Sequence, residues 1–261
     1  MGVVNVTPDS FSDGGKFLAV DDAIAHGVRM AEEGARIIDV GGESTRPGAE
    51  PVNAAEELRR VLPVVERLRV RTDAVISVDT SKPEVMRAAA AAGAGLINDV
   101  RALEEHGALE AAVASGCAVC LMHMKGDPRT MQQAPVYIDV VAEVREFLEQ
   151  RVAASRAAGL GRDRIVVDPG FGFGKTLGHN LQLLRHLREL DIGLPMLVGL
   201  SRKSTVGHIT GRAPDQRVHG SVALAVIAVM NGARIVRAHD VAATVDAIRT
   251  VVAVQGLSGD L

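Results

Sequence analysis

The sequence predicts an α/β fold, a (β/α)8 or TIM barrel in which eight parallel strands are enclosed by outer helices. Short apolar runs alternate with longer amphipathic segments along the chain, a pattern typical of a parallel sheet. No Pro-, Gly- or Ser-rich linker divides the 261 residues into halves. A single barrel domain over residues 1–261 is therefore favoured, and an open doubly wound sheet is the structural alternative.

The predicted strands are short runs of β-forming residues: Met1–Val6, Arg36–Val40, Ala74–Val78, Gly95–Ile97, Ala118–Met122, Arg164–Val167, Met196–Leu200 and Arg234–Val236. The predicted helices lie between them and at the end: Asp21–Glu33, Ala54–Leu68, Pro83–Ala92, Leu109–Ala114, Val140–Ala158, Asn180–Leu190, Gln216–Met230 and Val241–Val254. Ser81 to Glu84 predicts a capping box for the third helix, with Pro83 in its first turn.

The composition excludes several classes of protein. Apolar residues make up 47% of the chain and charged residues 23%, as in soluble globular proteins. The net charge of −3 and the absence of charge blocks argue against a nucleic-acid or polybasic membrane role. No signal peptide is recognisable, and the longest apolar run, Val222–Met230, is about half of a membrane span. A cytoplasmic protein is expected.

Two cysteines, Cys117 and Cys120, form a C-x-x-C sequence. They fall in a run that is predicted to be a strand, where residues three apart point to opposite faces. Buried, unreactive thiols are therefore predicted instead of a metal or redox site.

Each predicted strand is followed by polar or ionisable residues. In chain order these are Asn5 with Thr7, Asp39 with Glu43, Asp79 with Thr80, Asn98 with Asp99, His123, Asp168, Ser201 to Ser204, and Arg237 with His239 and Asp240. In a barrel all eight strand ends converge on one face, where the βα loops build the active site. Helix capping explains any single position, but the whole set predicts a polar site.

The residue types indicate phosphate chemistry. The last two strands are followed by Arg202, Lys203, Arg237 and His239, at the position where barrels frequently bind phosphate. Asn5 could contribute an oxygen ligand to a magnesium ion, which uses few protein ligands. Asp79 and Asp168 could act as bases, or as acceptors for the edge of an amino-substituted heterocycle.

Three glycine-rich segments lie in the predicted loops. Residues Pro169 to Thr176 approach a phosphate-binding G-x-x-x-x-G-K-T motif, but the first glycine is replaced by Pro169. We interpret this segment as a turn that leaves Asp168 at the strand end and Phe173 as a flat contact. The other two, Thr7–Lys16 and Ser44–Pro51, are predicted to be lids that exclude water when substrate binds.

Several of these segments resemble the dihydropteroate synthase family. The matching motifs are Gly2 to Gly15, Asp39 to Gly48, Ser77 to Thr80, Ile97 to Asp99, Leu121 to Met124, Asp168 to Lys175, Gly199 to Ser204 and Arg237 to Asp240. The resemblance runs nearly from end to end. It implies a barrel enzyme that joins a pterin pyrophosphate to p-aminobenzoate with Mg²⁺.

The resemblance also implies residue roles. The pterin contacts are Asp79, Asn98, Asp168 and Lys203, with Met122 and Gly199 packed nearby. The pyrophosphate contacts are Arg237, His239 and, through magnesium, Asn5. The p-aminobenzoate contacts are Thr45, Pro47, Phe173, Lys203 and Ser204, closed over by Phe11, Asp13 and Arg46. Asp13, Arg46, Asp79 and Lys203 are expected to serve catalysis.

Two other functions remain open at this point. A pterin-binding methyltransferase would share the barrel and the pterin pocket, although Ser201–Ser204 and Arg237–Asp240 weigh against it. A non-catalytic pterin-binding paralogue would keep the barrel and lose loop or anion-binding residues, which are all present here. The resemblance further implies a homodimer through the last helices, and the apolar segment Val218–Met230 suits a helix buried on both sides.

Overall fold

The computed structural model describes residues 1–6, 16–44, 50–127 and 130–256, with side chains described except at 16–19. Parallel strands are β1 (Gly2–Asn5), β2 (Ile37–Gly41), β3 (Val75–Asp79), β4 (Leu96–Asp99), β5 (Ala118–Met122), β6 (Ile165–Asp168), β7 (Leu197–Val198) and β8 (Ile235–Val236). All eight predicted strands are found, within a few residues of their predicted ends.

The strands follow one another in sequence order around a closed barrel. Strands β1 to β6 form one parallel sheet, and β7 pairs with β8. Two parallel bridges, Val167 with Met196 and Gly2 with Ala238, join these two pieces on either side. The Ala238 N–H donates to the Met1 carbonyl oxygen at 2.9 Å. The prediction of a TIM barrel is therefore confirmed, and the open-sheet alternative is wrong.

The helices lie outside the barrel: α1 (Lys16–Glu32), α2 (Ala54–Arg69), α3 (Pro83–Ala91), α4 (Ala108–Ser115), α5 (Val140–Ala157), α6 (Leu177–Arg185), α7 (Ser204–Thr210), α8 (Val218–Met230) and α9 (Val241–Gln255). Helix α7 was not predicted, because it is short, rich in β-branched residues and interrupted by Gly207. The predicted helix Asn180–Leu190 divides into α6 and the 3-10 turn Leu187–Leu190. Among the described helices, none combines the length and the apolar character needed to cross a membrane.

The predicted capping box at α3 is wrong. Lys82 occupies the N-cap position and makes no side-chain cap, although Pro83 does start the helix as predicted. The Ser81 hydroxyl instead donates to Asp99 Oδ1 at 2.5 Å. A buried carboxylate accepts this hydrogen bond more strongly than the hydroxyl could accept one from a helix N–H.

Side chains alternate between the helical layer and the barrel interior. Leu96, Cys120, Val166 and Leu197 form an apolar cluster inside the barrel. Cys117 instead joins the cluster beneath the helices α3 to α5. The two cysteines are thus buried on opposite faces as free thiols, which confirms the predicted burial and orientation.

Candidate active site

Polar side chains gather inside the barrel at the carboxyl ends of the strands. The register places Asp79 of β3 opposite Asn98 of β4, and Met122 of β5 opposite Asp168 of β6. Asn98, Asp168 and Met122 are buried, and the Asp79 side chain is 12% exposed. The fold therefore brings four of the predicted pterin contacts to adjoining strand ends.

Arg237 connects this wall to the last strand. Its Nε donates to Asp39 Oδ2 at 2.7 Å, and its Nη2 donates to Asp79 Oδ2 at 3.3 Å. Asp39 also accepts from the Ser77 hydroxyl at 2.6 Å and from Asn98 Nδ2 at 3.1 Å. Asp39 is fully buried and orients side chains from β3, β4 and β8. Sequence reasoning assigned it no role.

Asp39 could have been found from the alternation in β2. Strand β2 extends to Gly41, so Asp39 lies inside the strand and not at its end. Ile37, Asp39 and Gly41 share one face of the strand, and that face points into the barrel. A lone acid on such a face needs buried partners, and this requirement is the signal that the sequence contained.

The carboxylates of the site have raised pKa values. Burial raises the pKa of Asp79 to about 7, the neighbouring Asp39 carboxylate adds to the shift, and Arg237 opposes it. Burial also raises the pKa of Asp168, against the opposing charge of Lys203. One Asp168 oxygen accepts from the Gly170 N–H at 2.7 Å. Two acids that resist ionisation beside fixed cations are typical of a functional site.

Lys203 lies between Asp168 and the aromatic ring of Phe173. Its Nζ donates to the Phe171 carbonyl oxygen at 2.6 Å and lies 4.7 Å from the centroid of the Phe173 ring. Burial lowers the pKa of Lys203 to about 8, and the Asp168 charge counteracts it. A Cβ added at Gly199 would lie 3.8 Å from Lys203 Nζ and 3.7 Å from Arg237 Cβ. Gly199 therefore keeps the space between these two cations open.

The segment after β6 is a turn, as interpreted from the failed phosphate-binding motif. Gly170 has a φ of +68°, and a Cβ there would lie 1.8 Å from the His123 carbonyl oxygen. Gly174 has a φ of +61°, and a Cβ there would lie 2.2 Å from the Lys125 carbonyl oxygen. Only glycine fits at these close approaches. The turn presents Phe173 beside Lys203.

The cations after β7 and β8 divide into two groups. Arg202 donates to Asp240 through Nε at 3.0 Å and through Nη2 at 2.5 Å. This ion pair neutralises the Arg202 charge, which the sequence had suggested for phosphate binding. His239 Nδ1 lies 3.1 Å from the Ser201 hydroxyl, and among the described residues its Nε2 has no hydrogen-bond partner. Burial and Arg237 lower the pKa of His239 to about 4. His239 is therefore a neutral hydrogen-bonding group, and the positive charge comes from Arg237 and Lys203.

Asn5 ends β1 on the same face. A Cβ built at Gly41 would lie 3.8 Å from Asn5 Oδ1 and 3.6 Å from Asp79 Cβ, which places Asn5 beside the β3 acid. In the described parts of the chain, the Asn5 side chain has no hydrogen-bond partner. Those parts also contain no group of three or more acid, His or Cys side chains suited to a metal ion. The Asn5 amide oxygen is a ligand type that fits Mg²⁺, an ion that is bound mainly by substrate and water.

Other polar strand-end residues serve their own loops. Asp99 accepts from the N–H groups of Arg101 and Leu103 at 2.9 and 2.8 Å. Glu43 pairs with Lys82, and Lys82 also binds the buried Glu57 at 2.5 Å. Ser204 is exposed at the start of α7. The predicted residues Phe11, Asp13, Thr45, Arg46 and Pro47, and most of both predicted lids, lie outside the described residues.

Comparisons with known proteins identify the family of this chain. The model of the pterin binding enzyme family matches residues 1–239. The dihydropteroate synthase of Escherichia coli K12 is 55% identical over 252 residues, covering 96% of this chain and 89% of the relative. The relatives are therefore matched over most of their length.

Two solved structures are similar in fold and in sequence. A Yersinia pestis dihydropteroate synthase in a sulfonamide drug complex is 54% identical, with a TM-score of 0.94 over 98% of this chain and 94% of the other. A Xanthomonas albilineans dihydropteroate synthase with 4-aminobenzoic acid is 57% identical, with a TM-score of 0.93 over 99% and 93%. The chain belongs to the pterin-binding enzyme family and, within it, to the dihydropteroate synthases, the transferases that join 6-hydroxymethyl-7,8-dihydropterin pyrophosphate to p-aminobenzoate in folate synthesis.

Proposed function

We propose that the polar end of the barrel binds pterin pyrophosphate and p-aminobenzoate and that the residue roles follow from their contacts. The observation that carries this proposal is a set of connected hydrogen bonds among Asp79, Arg237, Asp39 and Asn98. It fixes two carboxylates, an amide and a guanidinium group at the polar end of the barrel. Asp168 and Lys203 complete the wall beside Phe173.

The pterin edge is recognised by Asp168 and Asn98. Asp168 uses one oxygen for Gly170, so the other can accept from the amino-pyrimidine edge. Asn98 donates to Asp39 through Nδ2, so its Oδ1 is available as an acceptor for the pterin. A neutral Asp79 or Asp168 would offer a donor where the pterin also donates, so the nearby cations that favour ionisation support binding.

The pyrophosphate is held by Arg237 and His239. Arg237 has five N–H donors and uses two of them on Asp39 and Asp79, so its outer edge can bind phosphate oxygens. His239 can contribute Nε2. Asn5 would help to hold Mg²⁺, which when bound supplies positive charge that offsets the charge of the leaving pyrophosphate.

Catalysis is then electrostatic and positional. An aromatic amine is a weak nucleophile, so the bond from the pterin methylene to oxygen breaks ahead of attack. The Asp79 carboxylate stabilises the cationic pterin methylene. The guanidinium group of Arg237 stabilises the negative charge that develops on the departing oxygen. The aniline nitrogen then forms the new C–N bond and gives up one proton to the released pyrophosphate or to water, and no covalent bond to the enzyme is formed.

The p-aminobenzoate site adjoins Phe173, Lys203 and Ser204. Thr45 and Pro47 are proposed to complete it, with Phe11, Asp13 and Arg46 closing over it from the two predicted lids. A sulfonamide, whose sulfonyl oxygens resemble a carboxylate, should compete for this site. The Yersinia pestis relative in a sulfonamide drug complex supports that expectation.

Ordered binding follows if bound pyrophosphate arranges the lids. Titration calorimetry should find tight sulfonamide binding only with pterin, pyrophosphate and magnesium already present. Equal affinity with and without these ligands would mean that the p-aminobenzoate site is preformed.

A homodimer is proposed through the last helices. Ile227 and Met230 on α8 are exposed in the single chain, as are Ile209 on α7 and Val254 on α9. Burial of an otherwise exposed apolar helix face stabilises an interface. Light scattering should give twice the chain mass, and Ile227→Glu should give a monomer.

We also propose a cytoplasmic location for the protein.

The catalytic proposal is tested by pyrophosphate release. We expect release only when the pterin pyrophosphate, p-aminobenzoate and magnesium are all present, with one dihydropteroate formed for each pyrophosphate. Pterin binding without pyrophosphate release would favour a non-catalytic paralogue. Methyl transfer from a pterin to a corrinoid would favour the methyltransferase alternative.

A further inference from the structure

One buried lysine has no part in the mechanism above. Lys175 is 2% exposed and lies under the turn that follows β6. Its Nζ donates to the carbonyl oxygens of Gly170 at 2.9 Å and Phe173 at 3.0 Å. It also lies 2.8 Å from His123 Nδ1. The ammonium group therefore binds the turn near both of its ends.

The surroundings of Lys175 satisfy the hydrogen-bonding capacity of its side chain. A buried ammonium group is costly unless acceptors surround it. Burial accordingly lowers the pKa of Lys175 to about 7, and the Asp168 charge counteracts this shift. Burial and the Lys175 charge lower the pKa of His123 to about 3, so this imidazole is neutral and can accept the hydrogen bond. Two carbonyl oxygens and a neutral imidazole nitrogen thus satisfy the group.

The two carbonyl groups belong to parts of the turn that carry site residues. The Gly170 N–H binds Asp168 Oδ1, so the position of Gly170 affects the carboxylate that faces the pterin. The other carbonyl belongs to Phe173, whose ring lies beside Lys203. Three other side chains bind the same turn. Gln132 donates to the Gly172 carbonyl oxygen, Tyr137 donates to the Gly174 carbonyl oxygen, and Asn180 accepts from the Gly172 N–H.

We propose that Lys175 is a positioning residue for both substrates: its buried ammonium group fixes the turn so that Asp168 faces the pterin and Phe173 faces p-aminobenzoate. The inference rests on the proposed roles of Asp168 and Phe173. It assigns Lys175 no contact with substrate. The glycines at 170 and 174 make the turn possible, and Lys175 selects one conformation of it.

The test is Lys175→Met, which keeps the length of the side chain and removes its charge and donors. We expect the KM for p-aminobenzoate and the Kd for the pterin each to rise by about tenfold or more, as misplacement of positioned groups does. In a Phe173→Ala background, Lys175→Met should add little to the KM for p-aminobenzoate, because it acts through Phe173. Unchanged KM and Kd values would overturn the inference, and so would fully additive effects.

A matched control is Arg151→Met. Arg151 donates to the carbonyl oxygens of Ala102 and Leu103 at 2.9 and 3.1 Å in the loop after β4. It should lower the melting temperature and leave KM and Kd unchanged. If Lys175→Met behaves in the same way, Lys175 has only a structural role.

Two further variants keep the outcomes separate. If Lys175→Met does not fold, Lys175→Gln, which retains an amide donor, should raise both constants by a smaller factor, and wild-type constants would overturn the inference. If Asp168→Asn and Phe173→Ala themselves leave both constants unchanged, the proposed site roles fail. If they act and Lys175→Met does not, only the positioning role fails.

Discussion

The interior of the barrel has two halves that differ in chemistry although the same strands build both. In the lower half, Leu96, Cys120, Val166 and Leu197 pack on one another. The upper half begins two residues further along the same strands, with Asn98, Met122, Asp168 and Gly199. Because side chains repeat on one face every second residue, a single step of the pattern converts a packed core into a polar pocket.

The two halves also differ in what they contribute to stability. Burial of apolar side chains in the lower half stabilises the fold. The upper half holds Asp79, whose pKa is raised to about 7, so ionising it in the folded protein costs free energy. We infer that apolar burial in the lower half adds stability, whereas the ionised Asp79 of the upper half costs stability, needs Arg237 beside it and serves binding. Three substitutions can break or sharpen this comparison.

The largest effect is expected for Arg237→Met. This change leaves Asp39 and Asp79 without their shared cation and should lower the free energy of unfolding by about 3–5 kcal/mol near pH 8. Because Arg237 holds the pKa of Asp79 down, its loss raises that pKa further, and the deficit should shrink at pH 5 as the acid is protonated. Binding of the bare pterin should also weaken, since Arg237 orients Asp79.

Urea unfolding at pH 5 and pH 8 measures this deficit. Arg202→Met is the control, because the partly exposed Arg202–Asp240 pair should contribute only about 0–1 kcal/mol. A loss in Arg237→Met that is the same at both pH values would contradict the proposed coupling.

A smaller loss is expected for Val166→Ala in the lower half. Removing two buried methyl groups should destabilise the fold by about 2 kcal/mol and leave the affinity for the pterin unchanged. The exposed Val70→Ala should cost much less. A large drop in pterin affinity for Val166→Ala would show that the two halves are not separable.

The smallest effect is a gain in stability for Asp79→Asn. The folded-state pKa of Asp79 lies above its ordinary value of 3.8, so the wild type loses stability as the pH rises from about 4 to about 7. Asn removes this loss, and the melting temperature at pH 8 should rise by about 2–4 °C. The variant should lose activity, because the cationic methylene loses its carboxylate. A melting temperature below that of the wild type at pH 8 would refute the predicted gain in stability.

Much of the fold could be predicted because it depends on local pattern. Eight apolar runs, each closed by a polar residue, predict the barrel and place Asp79, Asn98, Asp168 and Arg237 at one end of it. Helix α7 could not be predicted, because residues 204–210 lack a helical period and the helix depends on its packing.

The connections within the site needed coordinates. Nothing in the spacing of Asp39 and Arg237, 198 residues apart, indicates that they form an ion pair. The capping box failed for a similar reason, because Asp99, distant in sequence, captures the Ser81 hydroxyl. Lys175 sits in a failed phosphate motif, and its inward orientation depends on His123 in another loop. Long-range partners decide these positions, and a local pattern does not contain them.

The central claim is that the upper half binds the pterin at Asp168 and the pyrophosphate at His239. Calorimetric titration of wild type, Asp168→Asn and His239→Ala with the bare pterin and with its pyrophosphate ester tests it. Asp168→Asn should weaken both ligands by about 10- to 100-fold, because an amide turns a donor towards the pterin donors. His239→Ala should weaken only the ester, by about tenfold. Unchanged pterin affinity in Asp168→Asn, or equal weakening of both ligands in His239→Ala, would contradict the account.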